Sequence, residues 1–441
     1  MNKQKWIDRA LELGLEGFEI SQSETASRAV TWFDHSMDSF VTSKVIKTSM
    51  RASINGKIVS VSLEKVDDAQ MDDILNALIE QASVVAETEK DQFVPVIETE
   101  LTPSLKTWKK PSMAELKSVM ASLEEKILAC DERVSAVNEI SWEESGMGGS
   151  LVNSLGVDVE DASQYQLMVS QATMQENGDL RDGYVIEVVN DLADFDQDAM
   201  ASKLVSKISA TMNAKSLSSR TCPVILEKDA MTTLFSCFAS AFYGSLIEKG
   251  ISPLTGKLGE KIWSDQITVI DDPRNQQALF LKNYDDEGTP TYTKTVVDHG
   301  VFEMILHNTK SALKMNAEST GNGFRSGGGA TSVSAMNMYI VPGRDSLDEL
   351  CEKMQNGVMI TELEGMHAGV NFVSANFSLQ ARGFLVENGK KTRPLTLITV
   401  AGNFMDLMNR VTAVGNDLEW EHRSIACPSI LFESAAIGGK E

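Results

Sequence analysis

Arg51-Ala-Ser-Ile54 and Lys57-Ile-Val-Ser-Val-Ser-Leu63 flank the dipeptide Asn55-Gly56. The second stretch alternates apolar and polar residues, the period of a half-buried strand. Asn-Gly accepts positive φ at both central positions of a tight turn, so the stretch predicts a β-hairpin. A hairpin is antiparallel, which sets this half of the chain apart from a strand-helix-strand crossover.

Upstream, residues 2–13 read as a helix with Trp6, Ile7, Ala10 and Leu11 on one face, followed by a strand near Gly17–Ser21 and alternating patterns over 29–63. Downstream, Asp67–Glu87 carries Met71, Ile74, Leu75, Leu78, Ile79 and Ala82 in helical register. Pro95, Pro103 and Pro111 punctuate 92–112, so 91–111 reads as a linker or an extended crossing segment. Ser112-Met-Ala-Glu115 is a capping box opening a helix to about Cys130. Residues 135–189 return to strand patterns, with turns expected at Asn177-Gly178 and Asp182-Gly183, and 193–214 is helical again.

Beyond Arg220, Pro223-Val-Ile-Leu226 predicts a short buried strand, and the uncharged run Ala230–Ile247 predicts a buried helix. Strands then dominate, apart from a helix at Asp345–Gln355 with its own capping box, Ser346-Leu-Asp-Glu349, and a hairpin turn at Glu387-Asn-Gly389. Strands in blocks indicate an α+β fold: a two-part N-terminal α/β-mixed region followed by a β-rich C-terminal domain. The expected units are 1–90, the linker 91–111, 112–218 and 219–441.

The 441 residues carry 40 basic and 63 acidic side chains, a net charge of −23. This balance argues against direct nucleic-acid binding and against docking on an anionic membrane. Five scattered cysteines without a CxxC pair, and an N-terminus without an apolar signal core, point to the reducing cytoplasm. The five histidines, His35, His299, His307, His367 and His422, show no HExxH, HxxxH or HxH spacing. Two acidic clusters, Asp271-Asp272-Pro273 and Asp285-Asp286-Glu287-Gly288, offer oxygen donors to a hard cation, yet equally suit turns. Gly321–Gly329 is glycine-rich without the strand and helix of a phosphate loop. It reads either as a mobile loop or as a lip over a groove, with Gly321, Asn322 and Arg325 as candidate peptide contacts and Arg325 as an exposed donor fork.

An ordered series in the second half adds more. It runs through Pro253-Leu-Thr-Gly-Lys-Leu-Gly-Glu260, Ile267-Thr-Val-Ile-Asp-Asp-Pro273, Asp285-Asp-Glu-Gly-Thr-Pro290 and Thr320-Gly-Asn-Gly-Phe-Arg325. It continues with Tyr339-Ile-Val-Pro-Gly343, Gly383-Phe-Leu-Val-Glu-Asn-Gly389, Thr399-Val-Ala-Gly-Asn403 and Val414-Gly-Asn-Asp417. The series resembles the TldD/PmbA family, whose members carry the label of DNA gyrase modulators. The resemblance is diffuse in the first half of the chain.

The resemblance implies one of two branches. In the TldD branch an HExxxH helix and a cysteine near the C-terminus hold zinc, and the glutamate is the general base on the metal-bound water. The PmbA or TldE branch lacks the histidines and pairs with a TldD chain, forming a cytosolic protease for unfolded or modified peptides. Counted back without gaps from Gly256-Lys-Leu-Gly-Glu260, the motif falls on Phe235-Ser-Cys-Phe-Ala-Ser240, so the histidines become Phe235 and Ser240 and the glutamate Ser236. Cys427 stands near the third-ligand position.

The resemblance therefore implies a non-catalytic TldE-type subunit, with no cofactor of its own and zinc only in the partner. Its partners would be an HExxxH-bearing chain, or a second copy when alone, and a peptide substrate. Association is expected through the second half, whose sheet edges need cover. Two other readings stand beside this one: a homodimeric regulatory protein of the gyrase-modulator type, and a stand-alone hydrolase using His299, His307 or the acidic clusters.

Overall fold

The structure, a computed structural model, describes residues 1–85, 91–325, 330–420 and 422–440. The expected unit boundary at 90 and the part of the glycine-rich loop from 326 to 329 lie outside the described residues.

The opening elements are helix α1 (Lys3–Glu12), strands β1 (Gly17–Phe33), β2 (Ser36–Ile54) and β3 (Lys57–Leu63), and helix α2 (Met71–Val84). The Asn55-Gly56 turn joins β2 to β3, with φ of 51° and 71°. After the proline segment come α3 (Met113–Cys130), β4 (Val134–Asn153), β5 (Asp158–Glu176), β6 (Asp179–Val188) and α4 (Gln197–Ser209). Ser112 and Glu115 form the expected capping box on α3.

These strands make one antiparallel sheet in the order β3-β2-β1-β4-β5-β6. The two N-terminal stretches thus each supply three strands to a shared sheet. It is joined where β1 pairs with β4 from Glu19↔Asn153 to Trp32↔Ile140. Period-two alternation places Phe18, Ile20, Val30 and Trp32 on one face of β1. At one end α1 and α2 cover Phe18 and Ile20 with Trp6, Ile7, Leu75 and Leu78. At the other end α3 and α4 cover Val30 and Trp32 with Leu116, Met120, Leu204 and Ile208. Glu19 and Arg51, opposite one another on β1 and β2, point from the other face.

Asp182-Gly183 is not a turn. It lies inside β6, where a Cβ on Gly183 would stand 2.8 Å from Ile208 of α4, so the glycine admits the helix onto the strand.

In the C-terminal region β7 (Arg220–Leu226) is followed by α5 (Lys228–Phe238). The helix expected over 230–247 breaks after Phe238 into a 3-10 turn, Ala239–Phe242, and a short helix, Gly244–Ile247. The break admits the Leu306 main chain, whose carbonyl accepts the Gly244 N–H at 2.8 Å. Strand Gly357–Glu364 pairs with β7 on one side and Asn376–Glu387 on the other, so it closes a ring. Ile430–Gly438 and Lys390–Asn403 complete this five-strand barrel. A second, five-stranded sheet contains Val269–Asp271, Lys294–Asp298 and Met338–Ile340. The helix expected at 345–355 spans Leu347–Met354 with its capping box in place. Among the described residues no helix is long and apolar enough to cross a membrane.

Candidate functional site

Helix α5 follows β7 directly, capped by Glu227, whose side chain accepts the Asp229 N–H at 3.2 Å. Burial, reinforced by neighbouring Asp229, pushes the Glu227 carboxyl up to about 7. Phe235, on the inner face of α5, is fully buried. Its ring lies 6.4 Å from the Trp263 ring, edge-on, and 6.4 Å from the Phe404 ring, while Phe238 stacks on Phe404 at 4.4 Å. Ser236 is exposed and donates to the Thr232 carbonyl at 2.6 Å. Ser240 has left α5 for the 3-10 turn.

The fold brings Cys427 to this helix: its N–H donates to Thr232 Oγ1 at 2.9 Å, one turn before Ser236. The thiol is buried, and burial pushes it far above its ordinary value, so it keeps its proton. Beside it a cavity of about 10 Å³, the space of a single water, is lined by Lys228, Thr232, Arg423 and Cys427. A catalytic zinc needs three nitrogen, sulfur or oxygen donors and an open position. Here a phenyl ring, the half-buried Ser240 hydroxyl outside the helix and a protonated thiol stand at those places, and they do not fit the metal.

The two acidic clusters come together elsewhere, in a polar knot. Asp271 is fully buried and pairs with Lys294 Nζ at 3.1 Å. Burial pushes the Asp271 carboxyl up and the Lys294 ammonium down, and each partner's charge opposes that drift. Asn322 Nδ2 donates to Asp271 Oδ2 at 2.8 Å, and the Met336 N–H donates to Oδ1 at 2.6 Å. The next residue ties in the second cluster: the Gly323 N–H donates to Asp285 Oδ2 at 2.8 Å. Asp285 also accepts the N–H groups of Glu287 and Thr289, while burial and the neighbouring Glu287 push its carboxyl well up. Glu287 in turn accepts from the Thr309 N–H and from Thr331 Oγ1. Gly321, at φ +69°, sits where a Cβ would lie 2.6 Å from the Pro290 carbonyl oxygen. The clusters thus spend their oxygens on main-chain and side-chain donors of the protein. Among the described residues no group of three His, Cys, Asp or Glu side chains could hold a metal ion.

All three candidate peptide contacts are enclosed, Gly321 being buried against the Pro290 main chain. Asn322 is fully buried in the knot. Arg325, expected to be exposed, has a side chain only 7% accessible, and its Nη2 lies 3.2 Å from Glu19 Oε1 on β1. Glu19 is shared with Arg51, which also holds Asp91 at 2.8 Å. Lys282 adds a second link, pairing with Asp161 on β5. Sequence reasoning missed Glu19, Arg51 and Lys294. The available signal was a lone charge inside the apolar run Phe18-Glu19-Ile20.

His307 is buried against Ser311 Oγ at 3.0 Å, and burial pulls its ring down to about 4, so it is neutral. His299 is exposed on a turn with φ +44°. The two histidines share no partner.

A family model described as PmbA/TldA metallopeptidase C-terminal domain matches residues 219–439. The chain is 26% identical over 331 residues to Metalloprotease PmbA of Escherichia coli O157:H7, covering 73% of this chain and 69% of that protein. Three further PmbA homologues are matched over 49% to 57% of their length. A Thermotoga maritima structure described as a proposed modulator of a DNA gyrase superposes with a TM-score of 0.88 at 28% identity, over 99% of both chains. TldE from Thermococcus kodakarensis superposes with a TM-score of 0.90 at 22% identity, over 99% of this chain and all of that one, which shows the shared fold.

Proposed function

Because the chain belongs to the PmbA/TldD metallopeptidase family, we propose that it is the non-catalytic, TldE-type member of a two-chain peptidase. The observation that carries this reading is the filling of α5. Phe235 packs against Trp263 and Phe404 where the resemblance places a zinc ligand in catalytic relatives. Rings packed edge to face are worth about 0.5–1.5 kcal/mol beyond their buried area, so the position contributes to the core. The partner would bring HExxxH and zinc, and this chain would shape the path of an unfolded or modified peptide.

The open edge of β2 supports association. β3 covers β2 only from Thr48 onward, and Phe40, Val41, Val45 and Ile46 are exposed along the uncovered stretch. A strand edge that exposes apolar side chains calls for cover. In the second half the barrel closes on itself, while the five-stranded sheet containing Val269–Asp271 is open, so the association expected there rests on that sheet. Five cysteines without a disulfide fit a reducing cytoplasm, and a net charge of −23 speaks against DNA as the direct partner.

The test is reconstitution. The chain alone should cleave no peptide and hold no stoichiometric zinc after purification without chelator. Mixed with an HExxxH-bearing relative from the same genome, it should raise peptide cleavage well above that of the relative alone. One tightly held zinc per chain, or full cleavage by the partner without this chain, overturns the reading.

A further inference from the structure

Residues 91–112, the proline-bearing segment that leads into α3, form neither helix nor strand, yet they are held closely along 97–106. What holds it is a loop of the C-terminal region. Tyr284 OH donates to the Ile97 carbonyl, Arg274 Nη1 to the Glu100 carbonyl at 2.7 Å, and Gln276 Nε2 to the Pro103 carbonyl at 3.1 Å. Asn283 makes a two-point contact: its Oδ1 accepts the Thr102 N–H at 2.7 Å and its Nδ2 donates to the Thr102 carbonyl at 3.0 Å. From 97 to 103 the loop touches five main-chain atoms in this way. One side chain joins them, Thr99, whose Oγ1 accepts from Arg274 Nη2. Meanwhile Ile97, Leu101 and Leu105 point away and are exposed.

The loop is built largely by contacts within the C-terminal region, with Lys106 of the segment adding its Nζ to the Gln277 and Ala278 carbonyls. The Lys282 N–H donates to the Pro273 carbonyl at 2.9 Å and ties its two ends. The Asn283 carbonyl accepts the Thr291 N–H and Arg274 Nη2, and Arg274 Nε is fixed by Thr291 Oγ1. A preformed surface that satisfies main-chain donors and acceptors while leaving the side chains outside is indifferent to sequence.

We propose that the loop Pro273–Tyr284 is a peptide-binding cradle that reads main chain, and that the chain's own segment 97–103 occupies it in cis. The ligand class is an extended polypeptide of any sequence. The proposal rests on the peptide-handling reading above. Its readout is binding, so it fails separately from that reading, whose readout is cleavage by the assembled pair.

The probe is a fluorescein-labelled synthetic peptide with the sequence of residues 96–104, titrated into the full chain and followed by anisotropy. In the wild type the tethered segment competes at an effective concentration on the order of millimolar, so little labelled peptide binds. Thr102→Pro removes the N–H that Asn283 accepts and loosens the tethered segment, and binding should tighten by about tenfold. Adding Asn283→Ala should abolish that gain. A peptide with serine at the positions of Val96, Ile97 and Leu101 should bind as well as the original.

A Thr102→Pro chain that melts as the wild type and binds no better overturns the proposal, as does binding that survives Asn283→Ala or follows the side chains. Should Thr102→Pro fail to fold, limited proteolysis of two other samples decides. Cleavage between 97 and 105 should quicken in Asn283→Ala, and also in the wild type when unlabelled peptide is added in excess. Unchanged rates in both refute the cradle.

Discussion

The inner face of helix α5 and the knot around Asp271 are both buried, and both lie on stretches where the sequence invited a metal or a ligand. They are built from opposite chemistry. Around α5 the side chains are rings and a protonated thiol, held by area removed from water. Around Asp271 they are charges and amides, each with a named partner at hydrogen-bond distance. The comparison teaches that a carboxylate in a turn-forming sequence declares nothing until its oxygens are accounted for. It also separates two tasks. The apolar place fills a core, whereas the polar one, through Arg325 and Glu19, joins the C-terminal region to the N-terminal sheet.

The sharpest way to break the comparison is to remove one charge from the knot. Asp271→Ala leaves Lys294 buried without its counter-ion and should cost about 3–5 kcal/mol in denaturant unfolding. Adding Lys294→Met should recover most of that loss, since an apolar replacement of both partners is often neutral. If the double variant is as unstable as the single one, the knot is held by shape and not by charge.

The two places should also respond to pH in opposite senses. His307, with its folded value near 4 against an ordinary 6.5, contributes stability that is complete above pH 6.5 and lost as pH falls toward 4. Glu227, raised to about 7 from 4.5, contributes stability that is complete below pH 4.5 and lost as pH rises through 7. Each full shift corresponds to roughly 3 kcal/mol. His307→Asn should flatten the acid limb of a stability–pH curve, and Glu227→Gln should raise stability at pH 8. Unchanged limbs in urea melts across that range would refute the assignments.

Arg325→Ala should cost about 2 kcal/mol, because Glu19 stays buried with Arg51 as its remaining cation. A melting temperature equal to wild type would show that the pair adds nothing across the junction. The smallest effect belongs to the apolar place. Cys427→Ala should cost less than Cys427→Ser, whose buried hydroxyl adds about 1–3 kcal/mol if unpaired. Neither should alter cleavage by a reconstituted pair. Loss of cleavage in a stable Cys427→Ala chain would return this thiol to the chemistry.

Much of the fold was legible because its signals are local. The capping boxes at Ser112 and Ser346, the Asn-Gly turns at 55 and 177 and the Asn388-Gly389 turn all stand where their spacing put them. Gly183 misled because glycine serves a turn and a close helix contact equally, and only the position of Ile208 tells them apart. The knot was out of reach. Its members come from β1, β2 and residues 271 to 336, and nothing in a strand's alternation says which distant charge will face it. For the candidate site, the sequence placed Cys427 beside α5 only through family resemblance, and the Thr232 contact now gives that a geometry.

The pairing of β1 with β4 has a consequence for biosynthesis. β1 ends at Phe33 and β4 at Asn153, so one side of β1 waits for some 120 further residues before its partner is complete. At roughly 5–20 residues per second the ribosome takes on the order of 6–24 seconds to deliver them. For that time the nascent chain carries a long bare strand beside an apolar neighbour, the state from which chains on adjacent ribosomes stick together. The yield of this protein in cells should therefore fall with crowded translation well before its folded form shows any weakness.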